Sequence, residues 1–162
     1  MRIVYSKVSP EYVYPLSRDD VNKVKGIVSA GDLAKLRTIE FGCNRRTTQE
    51  GRIVQRGRFY EIRINFCLNN CTSLILSDDR PYIEQIERWG GLVDRRTRLI
   101  TWKFADARRY ALFLLFHEIG HLVYAEQHLA GTLEGRTSKS EEMWCDTYAM
   151  KKTREYCVAF SC

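Results

Sequence analysis

The sequence predicts a single α+β domain, 1–162, in which a small, mostly antiparallel sheet packs against two long helices near the C-terminus. An alternating apolar pattern over Phe59–Phe66, preceded by a second apolar run and a turn, is typical of paired, half-buried strands. The segments at about 106–127 and 138–157 have the length and apolar spacing of helices. A chain of 162 residues is long enough to bury a core as one domain.

The N-terminal half is predicted to contain strands and one short helix. Ser17 or Asp19 can cap a helix over about 20–29, where valines recur at helical spacing and Ala30-Gly31 ends the pattern. The residues Arg56-Gly57 are expected to form the turn of a hairpin. Strands are expected at residues 3–5, 38–42, 52–55 and 59–66.

The next segment predicts a short strand, a short helix and a second hairpin. Residues 74–76 have the composition of a strand, and Pro81 suits the first turn of a helix that continues to Arg88. The apolar residues on either side of the turn 94–97 favour a hairpin. Asp106 is then expected to cap the first of the two long helices.

Two of the three histidines stand in the segment His117-Glu-Ile-Gly-His121, at the end of a strongly apolar run. Residues four apart share one face of a helix, so both imidazoles can bind one zinc ion. Glu118 lies beside them and can take a proton from a water molecule without being a ligand. Burial of two imidazoles and a carboxylate is costly unless something pairs with them, which favours a metal site.

A hydrolytic zinc site needs a third protein ligand and one open position for water. His128 follows the motif too far along a continuous helix, and proteases with a nearby third histidine have H-E-x-x-H-x-x-G-x-x-H. Here Tyr124 and Gln127 occupy the glycine and histidine positions of that pattern. We therefore expect His128 at the surface, at the helix end. Glu126 would need an abrupt break in the helix to turn back.

Glu142 is the third candidate ligand, on the second long helix. Ser138 and Glu141 are predicted to start this helix as a capping-box pair. Glu142 and Asp146 are four residues apart and share a face. One carboxylate can complete the zinc shell, and the next can accept the free ring N–H of a ligating histidine.

The sequence HEIGH, followed about twenty residues later by E-x-x-x-D-x-Y-A, resembles the gluzincin arrangement and is most like small ImmA/IrrE-type metallopeptidase domains. The resemblance covers roughly residues 106–157. In that family the second helix has E-x-E-A-[ND]-x-F-A, and Trp144 and Cys145 depart from its usual Glu-Ala pair. The resemblance implies a zincin-like fold and one Zn²⁺ per chain. It implies His117, His121 and Glu142 as ligands, Glu118 as the catalytic base and Asp146 as the outer acid.

The resemblance also implies a zinc metallopeptidase that hydrolyses a specific intracellular protein, since ImmA/IrrE-type proteases are often linked to cleavage of DNA-binding repressors. Tyr124 and Tyr148 are candidate oxyanion stabilisers, although both are equally explained as aromatics at the edge of the core. In zincin folds an edge strand above the active site pairs with extended substrate. Residues 59–66 are a candidate for that edge, although a central strand has the same pattern.

The net charge of +6 is carried mostly by arginines, which favours acidic partners such as DNA or a DNA-bound protein. The arginines on strands can equally form the solvent-exposed face of a sheet. They lie at 45, 46, 52, 56, 58, 63, 95, 96, 98, 108 and 109. Two alternatives stay open: a SprT-like protease acting on DNA-bound proteins, which would use a third histidine, and a non-catalytic, zinc-stabilised nucleic-acid-binding or scaffold protein.

The six cysteines are expected to be reduced and mostly buried, because the chain is neither short nor obviously exported. A second zinc site that includes Cys67 and Cys71 lacks the usual paired C-x-x-C knuckles. The N-terminal residues lack the apolar region of a signal peptide, and no apolar run approaches the ~20 residues of a membrane span. We therefore expect a cytoplasmic protein with no membrane association.

Overall fold

The computed structural model describes residues 1–43, 50–129 and 138–161, and it confirms a mixed α+β architecture. The described elements are β1 (Arg2–Tyr5), β2 (Tyr12–Val13), α1 (Arg18–Val24), β3 (Leu36–Phe41), β4 (Gly51–Arg56), β5 (Phe59–Ile64), β6 (Leu68–Asn69), β7 (Thr72–Leu74), α2 (Arg80–Arg88), β8 (Leu92–Asp94), β9 (Leu99–Thr101), α3 (Phe104–His128) and α4 (Lys139–Phe160). None of the described helices is long and apolar enough to cross a membrane.

The strands form two sheets, whereas the sequence predicted one mostly antiparallel sheet. The first sheet has the order β1-β3-β5-β4, and only its β4–β5 pair is antiparallel. The second has the order β2-β6-β7-β9-β8 and is antiparallel throughout. Both predicted hairpins are present, β4–β5 around Gly57 and β8–β9. The predicted strand at 74–76 lies earlier, at Thr72–Leu74.

Residues 59–66 were a candidate for the substrate-binding edge strand, but β5 is a central strand, which is the alternative that the sequence left open. β5 lies between β3 and β4, and β4 is the edge of the first sheet. The side chains of Tyr60, Ile62 and Ile64 on β5 are fully buried. The alternating pattern indicates that one face of the strand is buried. It does not indicate whether the strand is hydrogen-bonded to a neighbour on one side or on both.

The helix boundaries differ from the sequence prediction at several ends. α1 ends at Val24 instead of residue 29, with Ser17 as its N-cap. α3 begins two residues early because Lys103 occupies the N-cap, so the prediction that Asp106 caps this helix is wrong. The Asp106 carboxylate instead accepts a hydrogen bond from Arg109. α4 begins after Ser138, as expected, and continues to Phe160.

A buried carboxylate ties α1 to both long helices. Asp20 accepts hydrogen bonds from Arg108 on α3 at 2.6 Å and from the Tyr156 hydroxyl on α4 at 3.1 Å. Burial alone would raise the pKa of Asp20, but the hydrogen bonds from Arg108 and Ser17 outweigh it and lower the pKa to about 2. This network holds α3 and α4 together away from the histidines.

The prediction that the cysteines are reduced is wrong for Cys43 and Cys67, which form a disulfide with each other, and for Cys157, which is also disulfide-bonded. Cys43 follows β3 and Cys67 follows β5, and these strands are neighbours in the first sheet. The two Cα atoms lie 5.6 Å apart, within the range of disulfides. The free cysteines among the described residues are Cys71, which is exposed, and Cys145, which is buried.

Candidate metal centre

The two long helices bring His117, His121 and Glu142 together into a group that could hold a metal ion, with one ligand atom of each within 4.8 Å of the others. The two Nε2 atoms are 3.1 Å apart. The Glu142 carboxylate lies 3.2 Å from Nε2 of His117 and 3.7 Å from Nε2 of His121. These are the three ligands that the sequence spacing and the family resemblance predict.

The other ring nitrogen of each imidazole, Nδ1, lies against a carboxylate that is not part of the metal group. Nδ1 of His117 lies 2.9 Å from Asp146, the outer acid expected from the sequence. Nδ1 of His121 lies 2.8 Å from Glu141, which the sequence analysis did not assign to the site. The predicted capping box is only half present. Ser138 accepts a hydrogen bond from the Glu141 N–H at 3.1 Å, but the Glu141 side chain binds the histidine instead.

The donor set fits a cation. With Nδ1–H of each ring donated to a carboxylate, Nε2 carries a lone pair, so His117 and His121 direct two lone pairs at one point. The Glu142 carboxylate adds negative charge at the same point. Such an arrangement is repulsive unless a proton or a metal ion lies between the atoms. A borderline-soft divalent metal favours two imidazoles and one carboxylate.

The raised pKa of His117 also indicates that the centre favours positive charge. Burial alone would lower it, but hydrogen bonds with Asp146 and Glu142 outweigh burial and raise the pKa to about 10. Glu118 and Asp146 add to the rise through their charges. The centre therefore attracts a cation, which in the absence of metal is a proton.

Glu118 is buried beside the histidines, with 6% of its surface exposed. Burial raises its pKa to about 7, partly offset by the charge of His117 and increased by that of Glu142. Gly51, the first residue of β4, packs directly against this carboxylate, and a β-carbon at Gly51 would overlap it. The edge strand therefore runs past the candidate base.

Gly120 allows α4 to approach α3 closely. A β-carbon at Gly120 would lie 3.3 Å from the Cα and Cβ atoms of Cys145, so a side chain there would crowd α4. The Cys145 thiol is buried and lies 3.4 Å from Nδ1 of His121. Burial and the surrounding carboxylates raise the pKa of this thiol, so it stays protonated at neutral pH.

Two rejected ligand candidates lie outside the metal group. His128 is exposed at the last residue of α3, and its ring packs against Tyr124 with centroids 4.5 Å apart. Glu126 bridges two other residues, with Lys35 at 2.7 Å and the Tyr60 hydroxyl at 3.1 Å. Neither side chain belongs to the group of residues whose ligand atoms converge on one point.

The predicted oxyanion stabilisers belong to an aromatic cluster. Trp144 lies between them, 5.5 Å from Tyr124 and stacked on Tyr148 at 5.4 Å between ring centroids. Trp144 and Tyr148 lie on a different face of α4 from Glu142 and Asp146, because two residues correspond to about 200° of helix rotation. The described ring contacts of both tyrosines are with this cluster and Lys152, which supports their role as aromatics at the edge of the core.

Comparison of the chain with protein-family models, with curated protein sequences and with solved structures found no match.

Proposed function

We propose that this chain is a zinc-dependent metallopeptidase of the gluzincin type, with a zincin-like fold resembling ImmA/IrrE-type domains. One observation carries the proposal: His117, His121 and Glu142 converge on one point, and the buried Glu118 stands beside it without belonging to the group. Two imidazoles and one carboxylate are the ligand set of several zinc hydrolases and leave a fourth position open.

A zinc ion held there would activate a water molecule and polarise the carbonyl of the peptide bond to be cleaved. Glu118 takes the proton from the attacking water at its carboxylate and donates it to the leaving nitrogen. Asp146 and Glu141 hold the two imidazoles in the tautomer and orientation that direct Nε2 at the metal.

The substrate is proposed to lie along β4. Within the described ranges this strand pairs only with β5, so its outer edge can hydrogen-bond to an extended peptide. The contact between Gly51 and Glu118 puts that edge next to the base. By the family resemblance, the substrate is an intracellular protein and a DNA-binding regulator is a candidate. A SprT-like site is disfavoured because a glutamate, not a third histidine, completes the group.

A purely structural metal site is disfavoured by Glu118. Burial of a carboxylate that coordinates nothing is costly, and a structural zinc site has no use for a base. Structural sites also close the fourth position with another protein ligand, and the described group offers three.

The test begins with elemental analysis of the wild type and of Glu142→Ala, Glu118→Gln and His128→Ala, all prepared without chelator. About one zinc per chain is expected in the wild type, Glu118→Gln and His128→Ala, and a sharp loss in Glu142→Ala. The same proteins are then incubated with a diverse peptide mixture and the products are identified by mass spectrometry.

Only the wild type and His128→Ala should release new peptides. Glu142→Ala lacks the metal, and Glu118→Gln retains the metal but lacks the base. Hydrolysis by Glu118→Gln at the wild-type rate would overturn the assigned base. A wild type without metal after reconstitution with zinc would overturn the proposed function.

A further inference from the structure

A cavity of about 360 Å³ lies where the two sheets meet, next to the first residue of β4. Its wall combines the amide side chain of Asn65 and the hydroxyl of Ser73 with the apolar side chains of Phe66 and Leu74. Glu50 is the acidic residue of the described lining, which contains no basic residue. The cavity is therefore a partly apolar recess with an acidic residue in its wall.

Glu50 is a buried acid that has no cationic partner within the described parts of the chain. Only 8% of its surface is exposed, and its oxygens accept hydrogen bonds from the hydroxyls of Tyr82, at 3.2 Å, and Tyr110. Among the described residues no lysine, arginine or histidine lies within ion-pair distance of it. Two tyrosine donors leave lone pairs on both carboxylate oxygens free for a further donor. Burial raises the pKa of Glu50 to about 7, which a bound cation would lower again.

This acid lies close to the candidate metal centre along two elements. Its chain neighbour Gly51 contacts Glu118. Its hydrogen-bond partner Tyr110 precedes His117 by seven residues on α3, or about 10 Å along the helix axis. A long side chain of a peptide on the β4 edge can span this separation, and a short one cannot.

We propose that the cavity binds a lysine or arginine side chain of the substrate, with the Glu50 carboxylate as its ionic partner. The apolar wall suits the methylene stem of such a side chain, and the carboxylate suits its charged end. The link to cleavage depends on the proposed peptidase function. The binding of a cationic side chain by the cavity does not depend on it.

The experiment uses N-acetyl-arginine amide as the probe and follows backbone amide shifts of the metal-free, full-length protein by NMR. N-acetyl-citrulline amide, which has nearly the same shape and no charge, and N-acetyl-norleucine amide, which keeps the apolar stem, are the comparison probes. The protein variants are Glu50→Gln and, as a matched control, Glu84→Gln, which removes a carboxylate from the exposed face of α2.

The arginine probe should shift amides at 50–51 and 65–74 and should bind at least about tenfold more tightly than either comparison probe, since hydrogen bonds to charged groups contribute on this scale. Glu50→Gln should lose that advantage and Glu84→Gln should keep it. Equal binding of the arginine and citrulline probes to the wild type would overturn the proposal, even if the Glu50 variant did not fold. Shifts confined to other residues would overturn it as well.

The two proposals fail separately. If the wild type binds zinc and cleaves peptides but the arginine probe shows no preference, the cavity proposal is wrong and the peptidase stands. If the probe binds as expected and no peptide is cleaved, the cavity is a cation site in a protein that is not a peptidase. Where both hold, products from the peptide mixture should show lysine or arginine enriched at one position, and Glu50→Gln should remove that enrichment.

Discussion

A single missing side chain at Gly51 allows Glu118 to lie where it does. Gly51→Ala would direct a β-carbon into the Glu118 carboxylate and displace it, while the backbone at this position tolerates alanine. A displacement of about 1 Å near reacting atoms can cost on the order of 100-fold in rate. We expect peptide hydrolysis to fall on that scale with zinc content unchanged.

Gly31→Ala is the matched control for this experiment, because its added β-carbon meets its nearest neighbour, Ser29, at an ordinary 3.7 Å. Hydrolysis rate and metal content are measured on both variants. Wild-type activity in Gly51→Ala would show that the strand does not position Glu118.

Glu141 is the residue of the centre that the sequence did not indicate. Its carboxylate is buried against Nδ1 of His121, so Glu141→Gln should weaken zinc binding by about 10–100-fold, as loss of an outer carboxylate does elsewhere. Competition with a chelator of known affinity measures the change. Met143→Ala, on the exposed side of the same helix turn, should bind zinc like the wild type. Equal affinities for both variants would place Glu141 outside the centre.

The buried acid Glu50 predicts a pH dependence of stability. Its pKa is raised from 4.5 to about 7 on folding, so the folded state binds the proton more tightly than the unfolded state. Its contribution to stability is therefore complete below about pH 4.5 and is lost as the pH rises through 7. A shift of this size corresponds to at most about 3 kcal/mol.

Glu50→Gln cannot ionise, so its free energy of unfolding relative to the wild type should rise between pH 5 and pH 8. Urea unfolding of the metal-free proteins at both pH values measures this difference. Glu84→Gln, on the exposed face of α2, should show no such change relative to the wild type. A Glu50→Gln difference that is independent of pH would contradict the raised pKa.

The sequence indicates a residue's role where the role depends on spacing along one helix. The pairs His117 and His121, and Glu142 and Asp146, are each four residues apart, and each pair shares a face in the structure. Glu141 resembled a capping residue because the competing partner for its carboxylate lies on another helix. Gly51 could not be identified for the same reason, since its contact with Glu118 arises only when β4 packs on α3.

At the scale of elements, the centre depends on how closely α4 approaches α3. Gly120→Ala would place a β-carbon 3.3 Å from the Cα of Cys145, so the helices must separate by a few tenths of an ångström. Alanine also favours the helix by about 1 kcal/mol over glycine, which offsets part of the packing cost. We therefore expect weaker zinc binding with little change in the unfolding midpoint.

Gln127→Ala provides the control for helix propensity. Gln127 is exposed on the same helix, seven residues beyond the point where Gly120 contacts α4. Zinc affinity and thermal unfolding are measured on both variants. Unchanged zinc affinity in Gly120→Ala would show that the separation of the helices does not control the ligands.

Local elements and the pairing of adjacent strands followed from the sequence, whereas the pairing of distant strands did not. Both hairpins join neighbouring segments through short turns, which the turn residues reveal. The parallel pairs β1–β3 and β3–β5 join distant segments, and no local pattern specifies them. The central place of β5 and the disulfide between Cys43 and Cys67 both result from that distant pairing.

At the scale of the whole molecule, the positive charge is less available than the sequence suggested. Five of the arginines behind the predicted basic patch lie in ion pairs with carboxylates, at 56, 63, 98, 108 and 109. Two more, Arg45 and Arg46, lie outside the described residues. The pairs reduce the charge that these side chains can offer to a phosphate backbone, and an association with DNA stays a prediction.

The effect of metal removal on the stability of the whole fold distinguishes a catalytic metal centre from a structural one. The Asp20 network and the apolar core join α3 to α4 without the histidines, so the metal-free protein should still unfold cooperatively. Zinc at about 100 times its dissociation constant adds roughly 3 kcal/mol, or about 5–10 °C in the unfolding midpoint. Chelator should lower the wild-type midpoint by that amount and leave Glu142→Ala unchanged. Loss of the cooperative transition on chelation would make the zinc structural.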